Sequence, residues 1–553
     1  MEVPIIQTCK ALTALALILA ATRPAIGAAP APLSTYVEAR AAEMNGDEAR
    51  SAQLFALMAE ANPADTTIAR RAIATAIQSG QAELAVSLAK ALPPDQLTVD
   101  ARLMLAADAL RRGKNKEAVS ALEKGATSTE VDLFAPLVRA WERTSRKKND
   151  GIEMLTQMSS ASPLAPIANE QKAAMLFALG RADEALPIAQ RVLVQTAGRN
   201  TRLRLAYADS LVRLKRPQDA VAMLQGDDEA LVAARARIEQ GKPLGMAIAT
   251  PAEGFAEMLI ALAIDLGRDE NKSLPIALSQ AARHANPANS EASILLALLL
   301  DGHGRSEDAL ALLGAVEPDD LLSGEALDIE TRILGDRSEF QKALARAQSA
   351  TQAPEAGPHD FARLANVLGD MERHSEAAAA YSEAINRTSR GENSDLWTLH
   401  LLRAASLEQA DRWNEAKADL ETALKLEPDN ALLLNFLGYG KLERGEDLDV
   451  AEAMIRKASS LRPDDASITD SLGWALFKRG RIEEAIETLS RAAAGDPSQS
   501  EIHEHLGDAL YSAGRRIEAR FSWQAALITA EDQAKSRLER KMEVGLTEAN
   551  AAP

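Results

Sequence analysis

The chain has 553 residues, 46% hydrophobic, 26% charged and 3% aromatic, a globular composition that suits closely packed short helices better than a sheet core. Its 62 Lys and Arg stand against 80 Asp and Glu, and the formal charge of -18 repels a phosphate backbone, which sets nucleic-acid binding aside. The single cysteine, Cys9, excludes a disulfide framework or a Cys-rich zinc site within one chain.

The amino end runs MEVPIIQTCK, ALTALALILAA, TRPAIGAAPAP: a short segment ending in Lys10, an apolar run from Ala11 to Ala21, then small residues. That order is the pattern of a secretory signal peptide. The apolar run is about half of the roughly 20 residues a bilayer span needs, so a stable membrane span is not expected. Cleavage near Gly27 or Ala28 removes residues 1–28, Cys9 included, and predicts an exported protein, in the periplasm of a Gram-negative bacterium.

From about Ser34 the chain reads as recurring helices that follow a Gly or basic turn: DEARSAQLFALMAEANP, QAELAVSLAKAL, NKEAVSALEKGA, RADEALPIAQRVL, RPQDAVAMLQ and RSEDALALLGAV. Ala52, Ala85 and Ala118 are evenly spaced within this series. Two Pro- and Gly-rich stretches interrupt the pattern, 240–254 and 351–360, and are candidate boundaries or longer loops within one array. The expected division is 1–28 signal, 29–245 degenerate repeats, 246–355 intermediate helical repeats with irregular linkers, 356–530 well-formed repeats, and 531–553 a capping helix ending in a loose tail.

The last third repeats in countable form. Ala416, Ala451, Ala485 and Ala519 recur about every 34 residues, and Ala423, Ala458, Ala492 and Ala526 keep the same steps. So do Pro428, Pro463 and Pro497, and the Leu-Gly pairs at 437–438, 472–473 and 506–507. In one unit, Ile468, Leu472, Ala475 and Leu476 share a helical face, and Ile482, Ala485, Ile486 and Leu489 share another. Asp464 or Asp465 can cap the first helix, Gly480 separates the two, and Pro497 ends the second. The small residues Gly473 and Ala485 allow close approach of the paired helices. One hairpin cannot hide its apolar face alone, so neighbours must stack.

These residues resemble the tetratricopeptide repeat (TPR), a helix-turn-helix unit of about 34 residues, from about His359 to Ile528. Second helices similar to the family's are SEAAAAYSEAI, NEAKADLETAL and IEARFSWQAAL, with a small insertion at TSRGENSD. The resemblance implies an all-α fold, a right-handed superhelical solenoid of antiparallel hairpins whose first helices line a concave face. It places Leu432, Asn435, Tyr439 and Leu442, then Ser467, Asp470, Trp474 and Phe477, then Glu501, Glu504, Asp508 and Tyr511 on that face. Aromatic groups beside acids there suit a protein or peptide segment of apolar and basic character. Trp474 and Phe477 have a second reading, packing between hairpins. The Lys, Arg and Asn clamp with which some family members grip a peptide carboxylate is matched only at Asn435.

No catalytic, metal or cofactor site emerges. Of seven histidines only His503 and His505 are close, and two residues apart on a helix they point in different directions. Gly302-His303-Gly304 lacks the strand and further glycines of a phosphate loop, and the Glu483-Glu484 pair sits where acids favour a helix start. RTSRKKND, 143–150, reads as a solvated turn. The sequence is therefore read as a non-enzymatic exported interaction scaffold in envelope assembly or maintenance. Alternatives are a helical accessory subunit of a cell-wall or polysaccharide enzyme complex, an enzyme with an unrecognised site, and a protein that self-associates through its terminal hairpins.

Overall fold

The computed structural model describes residues 32–146, 150–157, 164–195, 199–268, 272–354, 356–388 and 396–552. Among them are thirty α-helices and no strand, an all-α solenoid of antiparallel hairpins. The signal segment expected at 1–28, and parts of RTSRKKND and TSRGENSD, lie outside the described residues. The helices form two compact units, one of residues up to 223 with 243–312, the other of residues 224–242 with 313 onward. The chain thus passes between units near 223, 242 and 312, whereas the repeat pattern suggests divisions at 245/246 and 355/356.

The first unit opens with six hairpins: α1–α2 (Pro32–Met44, Glu48–Ala61), α3–α4 (Thr66–Gln78, Ala82–Ala91), α5–α6 (Val99–Arg111, Asn115–Glu123), α7–α8 (Ser128–Ser145, Asp150–Thr156), α9–α10 (Ala165–Ala178, Ala182–Gln195) and α11–α12 (Asn200–Arg213, Pro217–Met223). The next helix, α13 (Glu229–Glu239), belongs to the second unit. The chain then returns to the first unit through α14 (Pro251–Leu266), α15 (Ser273–Ala285) and α16 (Ser290–Asp301), and reaches the boundary in α17 (Ser306–Leu313). The segment that leads into α14 is anchored. Asp209 accepts hydrogen bonds from the backbone N–H groups of Met246 and Ala247 at 2.7 and 2.8 Å, and Thr250 with Glu253 forms a capping box on α14.

The second unit stacks α18–α19 (Ser323–Asp336, Phe340–Thr351), α20–α21 (Pro358–Asp370, His374–Arg387), α22–α23 (Leu396–Gln409, Trp413–Leu426), α24–α25 (Ala431–Glu443, Leu448–Leu461), α26–α27 (Ala466–Lys478, Ile482–Gly495) and α28–α29 (Ser500–Ser512, Arg516–Thr529), followed by α30 (Asp532–Val544). The α26–α27 pair shows why the repeat folds. The Asp465 carboxylate accepts from the Ile468 N–H at 3.1 Å and opens α26. Gly480 turns the chain with φ +73°, a value an L side chain resists. Leu489 fills the space a Cβ on Gly473 would need, so glycine there admits the second helix to the first. Leu489 is fully buried, and truncating such a side chain to alanine typically costs about 2–5 kcal/mol. One apolar cluster runs from Leu442 and Ile455 through Trp474 and Trp523 to Leu538 and Ala552, so successive hairpins share a core instead of each building its own.

Candidate functional site

In the second unit the first helices α24, α26 and α28 carry the expected face, and the structure sorts its residues by exposure. Leu432, Ser467 and Glu501 are exposed, whereas Asn435, Tyr439, Phe477 and Tyr511 are half-buried. Leu442, Asp470, Trp474, Glu504 and Asp508 are buried, which corrects the expectation that they are open to a partner. Neighbouring hairpins and the carboxyl end cover them.

Trp474 stacks on Phe477 with ring centroids 4.9 Å apart and on His505 at 4.0 Å, and its Nε1 donates to Glu443 at 2.9 Å. Its indole is therefore a wedge between repeats, the second of the two readings open to it. Asp470 lies 2.9 Å from Nδ1 of His505. Glu504 takes two hydrogen bonds from Arg537, both at 2.7 Å, and one from Lys541 at 2.6 Å. Asp508 accepts from Lys541 at 2.7 Å, from Trp523 Nε1 at 2.9 Å and from the backbone N–H of Ala552 at 3.1 Å. The acids of the last repeat are thus engaged by α30 and the segment that follows it, and the tail expected to be loose is tied down at Asn550 and Ala552, both buried. Tyr439 keeps some exposure, and its hydroxyl is held above its ordinary pKa by burial and then by the charges of Glu501, Glu443 and Asp470.

A larger opening lies upstream in the same unit. A cavity of about 1000 Å³ is bounded by α13, the segment from Leu313 to Leu321, α18, the end of α19, and the starts of α20 and α22. Its apolar lining includes Val232, Ala236, Leu327, Ala350 and Leu399. Its charged wall is preorganised: buried Arg363 bonds Glu229, Asp328 and Asp360, and Arg346 makes two 2.8 Å hydrogen bonds to Glu330. Burial raises the Glu229 carboxyl above the usual range, against the pull of Arg363. Repeat periodicity does not reveal this cavity, because α13 stands outside the hairpin series and reaches the wall only through the fold.

The first unit treats its first helices differently. Helices α14 and α15 pack across α3, α5, α7 and α9, the first helices of successive hairpins. Gly254 makes the approach possible, since a Cβ there would overlap the indole of Trp141. Behind it is a buried ionic network: Glu257 bonds Arg199, Arg202 at 2.5 Å and Asn289 at 2.9 Å, and Arg199 also bonds Glu170 at 2.7 Å and Glu291. Burial pushes the Glu170 carboxyl up to about 7, with Arg199 opposing and the charges of Glu257 and Glu291 reinforcing the rise. This face is built as core.

Among the described residues no group of three or more His, Cys, Asp or Glu is arranged to hold a metal, and no helix is long and apolar enough to cross a membrane. A family model described as a TPR repeat matches residues 473–514, from within α26 to the turn after α28. No curated protein matches the chain in sequence. Among solved structures, YrrB, described as a TPR protein with an unusual peptide-binding site, is 19% identical over 35% of this chain and 97% of its own, with a TM-score of 0.28. The Cut9-Hcn1 hetero-tetramer of the APC/C is 15% identical over 94% of this chain and 97% of its own, at 0.36. A tetratricopeptide repeat protein from Parabacteroides merdae ATCC 43184 is 15% identical over 47% and 99%, at 0.38. The family match falls on α26 to α28, hairpins with the spacing, caps and shared core of the repeat, and identifies that stretch as TPR repeat.

Proposed function

We propose that the protein is a non-enzymatic scaffold that docks an extended or helical segment of a partner protein in the cavity of its second unit, and that it does so after export, in the assembly or maintenance of the cell envelope. The observation that carries the reading is that cavity. It joins an apolar floor to a wall of fixed charges, the pairing of surfaces that gives a protein interface its affinity and its selectivity. Apolar side chains of the partner enter against Val232, Ala236 and Leu399. Basic residues at its flanks meet the acids of the rim, among them Asp227, Glu229 and Asp319. Tyr439 and Glu501, in the accessible part of the downstream face, extend the same preference. The signal-like segment at 1–28 supports export.

The test is affinity capture from an envelope extract with the purified protein, followed by mass spectrometry, beside Ala353→Trp and Leu399→Arg. Ala353 is exposed and Leu399 half-buried, so both variants should keep wild-type helix content. A partner held by wild type and lost by both folded variants supports the reading. Equal recovery on all three proteins moves the docking site elsewhere, and recovery of saccharide-processing activity instead of a bound segment replaces it.

A further inference from the structure

Helix α29 carries an exposed apolar stripe that the repeat does not require. Ile517 is 74% exposed, Phe521 67% and Ile528 80%. Their spacing sets them on one side of the helix, with Gln524 between them, opposite the buried Ala519, Ser522, Trp523 and Ala526. The internal repeat supplies its own control. One repeat earlier the same outward positions of α27 are Glu483, Glu487, Ser490 and Ala494, and in α25 they are Asp449, Ala453, Arg456 and Ser460. In α23 they are Asn414, Ala418, Glu421 and Lys425. All are exposed, and none is a large apolar side chain. The stacking of hairpins therefore tolerates polar residues here, and among these four second helices only the last replaces them with isoleucine and phenylalanine.

We propose that this stripe is a self-association surface, on which two copies of the chain pair α29 against α29 in antiparallel orientation. The charge pattern along the helix favours a second copy. The amino end carries Arg516 and Arg520 beside the Arg515–Glu518 ion pair, and the carboxyl end runs into exposed Glu531 and Asp532. Antiparallel pairing sets the basic end of each copy against the acidic end of the other, whereas parallel pairing would align like charges. The stripe is also symmetric about its centre, between Ser522 and Trp523. A two-fold axis there places Ile517 of one copy on Ile528 of the other, and Phe521 beside Gln524, so the same patch serves both sides. One helix pair of 14 residues is a small interface, so the association is concentration-dependent.

The mass of the purified protein, measured by sedimentation equilibrium from low to high micromolar concentration, tests this. Wild type should rise from one chain mass toward two. Phe521→Glu, which restores the residue type found at position 487, should stay at one chain mass throughout with unchanged helix content. The charges give an independent arm. Arg516→Glu with Arg520→Glu in one protein, and Glu531→Arg with Asp532→Arg in another, should each weaken self-association, and an equimolar mixture of the two should restore it. A wild type that remains monomeric, a Phe521→Glu variant that still dimerises, or a mixture that fails to recover would each overturn the proposal. So would a stripe that captures an acidic helical peptide or anionic vesicles while the protein stays monomeric.

Discussion

The imidazole of His505 lies flat on the indole of Trp474, with centroids 4.0 Å apart and planes 12° from parallel, and its Nδ1 is 2.9 Å from a carboxylate oxygen of Asp470. Burial by itself would lower the His505 pKa, but Asp470 outweighs it and the net shift is upward. Folding then favours the protonated ring. The resulting stability is present in full below the unfolded value of 6.5 and is lost as pH rises through the higher folded value. Asp470→Asn should lower the His505 titration, followed by its ring proton resonances, with Glu501 and Asp508 left as the remaining charges that raise it. The gap in melting temperature between wild type and variant should be wider in mild acid than in mild base. An unmoved titration would mean that Asp470 does not set the charge of this ring.

Trp474 is 1% exposed and wedged between Phe477 and His505, so its loss is expected to be a stability lesion and not a selective binding lesion. Trp474→Ala should cost about 3–5 kcal/mol, the range for large aromatic groups deleted from cores, and should shift the urea midpoint accordingly. A variant with a wild-type midpoint would show that the indole is dispensable for packing.

Lys541 is fully buried and its ammonium is held by Glu504 at 2.6 Å and Asp508 at 2.7 Å. Lys541→Ala leaves Asp508 without its buried counter-charge and Glu504 with Arg537 alone, and breaking such a buried pair typically costs about 3–5 kcal/mol. The backbone N–H of Ala552, which donates to Asp508, should lose hydrogen-exchange protection in the same variant. Protection retained at Ala552 would place the anchoring of the carboxyl end elsewhere.

Glu170 sits among Arg199, Glu257 and Glu291 with its pKa raised to about 7 against an ordinary 4.5. An acid raised in this way contributes most to folding below pH 4.5 and loses that contribution as pH climbs through about 7. Glu170→Gln mimics the neutral acid at every pH. It should therefore melt close to wild type in mild acid and gain on it in mild base, by an amount on the order of 3 kcal/mol at about 1.36 kcal/mol per pKa unit. A constant difference across that range would remove Glu170 as a titrating group of the first unit.

Local periodicity determined much of this protein. The alanine, proline and Leu-Gly series locate the hairpins from α22 to α29, and Asp465, Gly480 and Gly473 perform the cap, the turn and the close approach their chemistry predicts, because each acts on neighbours within one repeat. Residue type alone could not say which acids and rings stay accessible. Trp474 and Tyr439 occupy equivalent positions one repeat apart, yet the first is sealed and the second half-open, since burial depends on what the next hairpin brings. Two decisions belong to the tertiary structure. Helix α13 joins the second unit and walls its cavity, and α14 and α15 cover the first helices of the first unit around Glu257. Each joins segments distant in the chain through buried charge and shape, and a repeat period encodes only what lies one step away, as in the capping of Glu504 and Asp508 by α30.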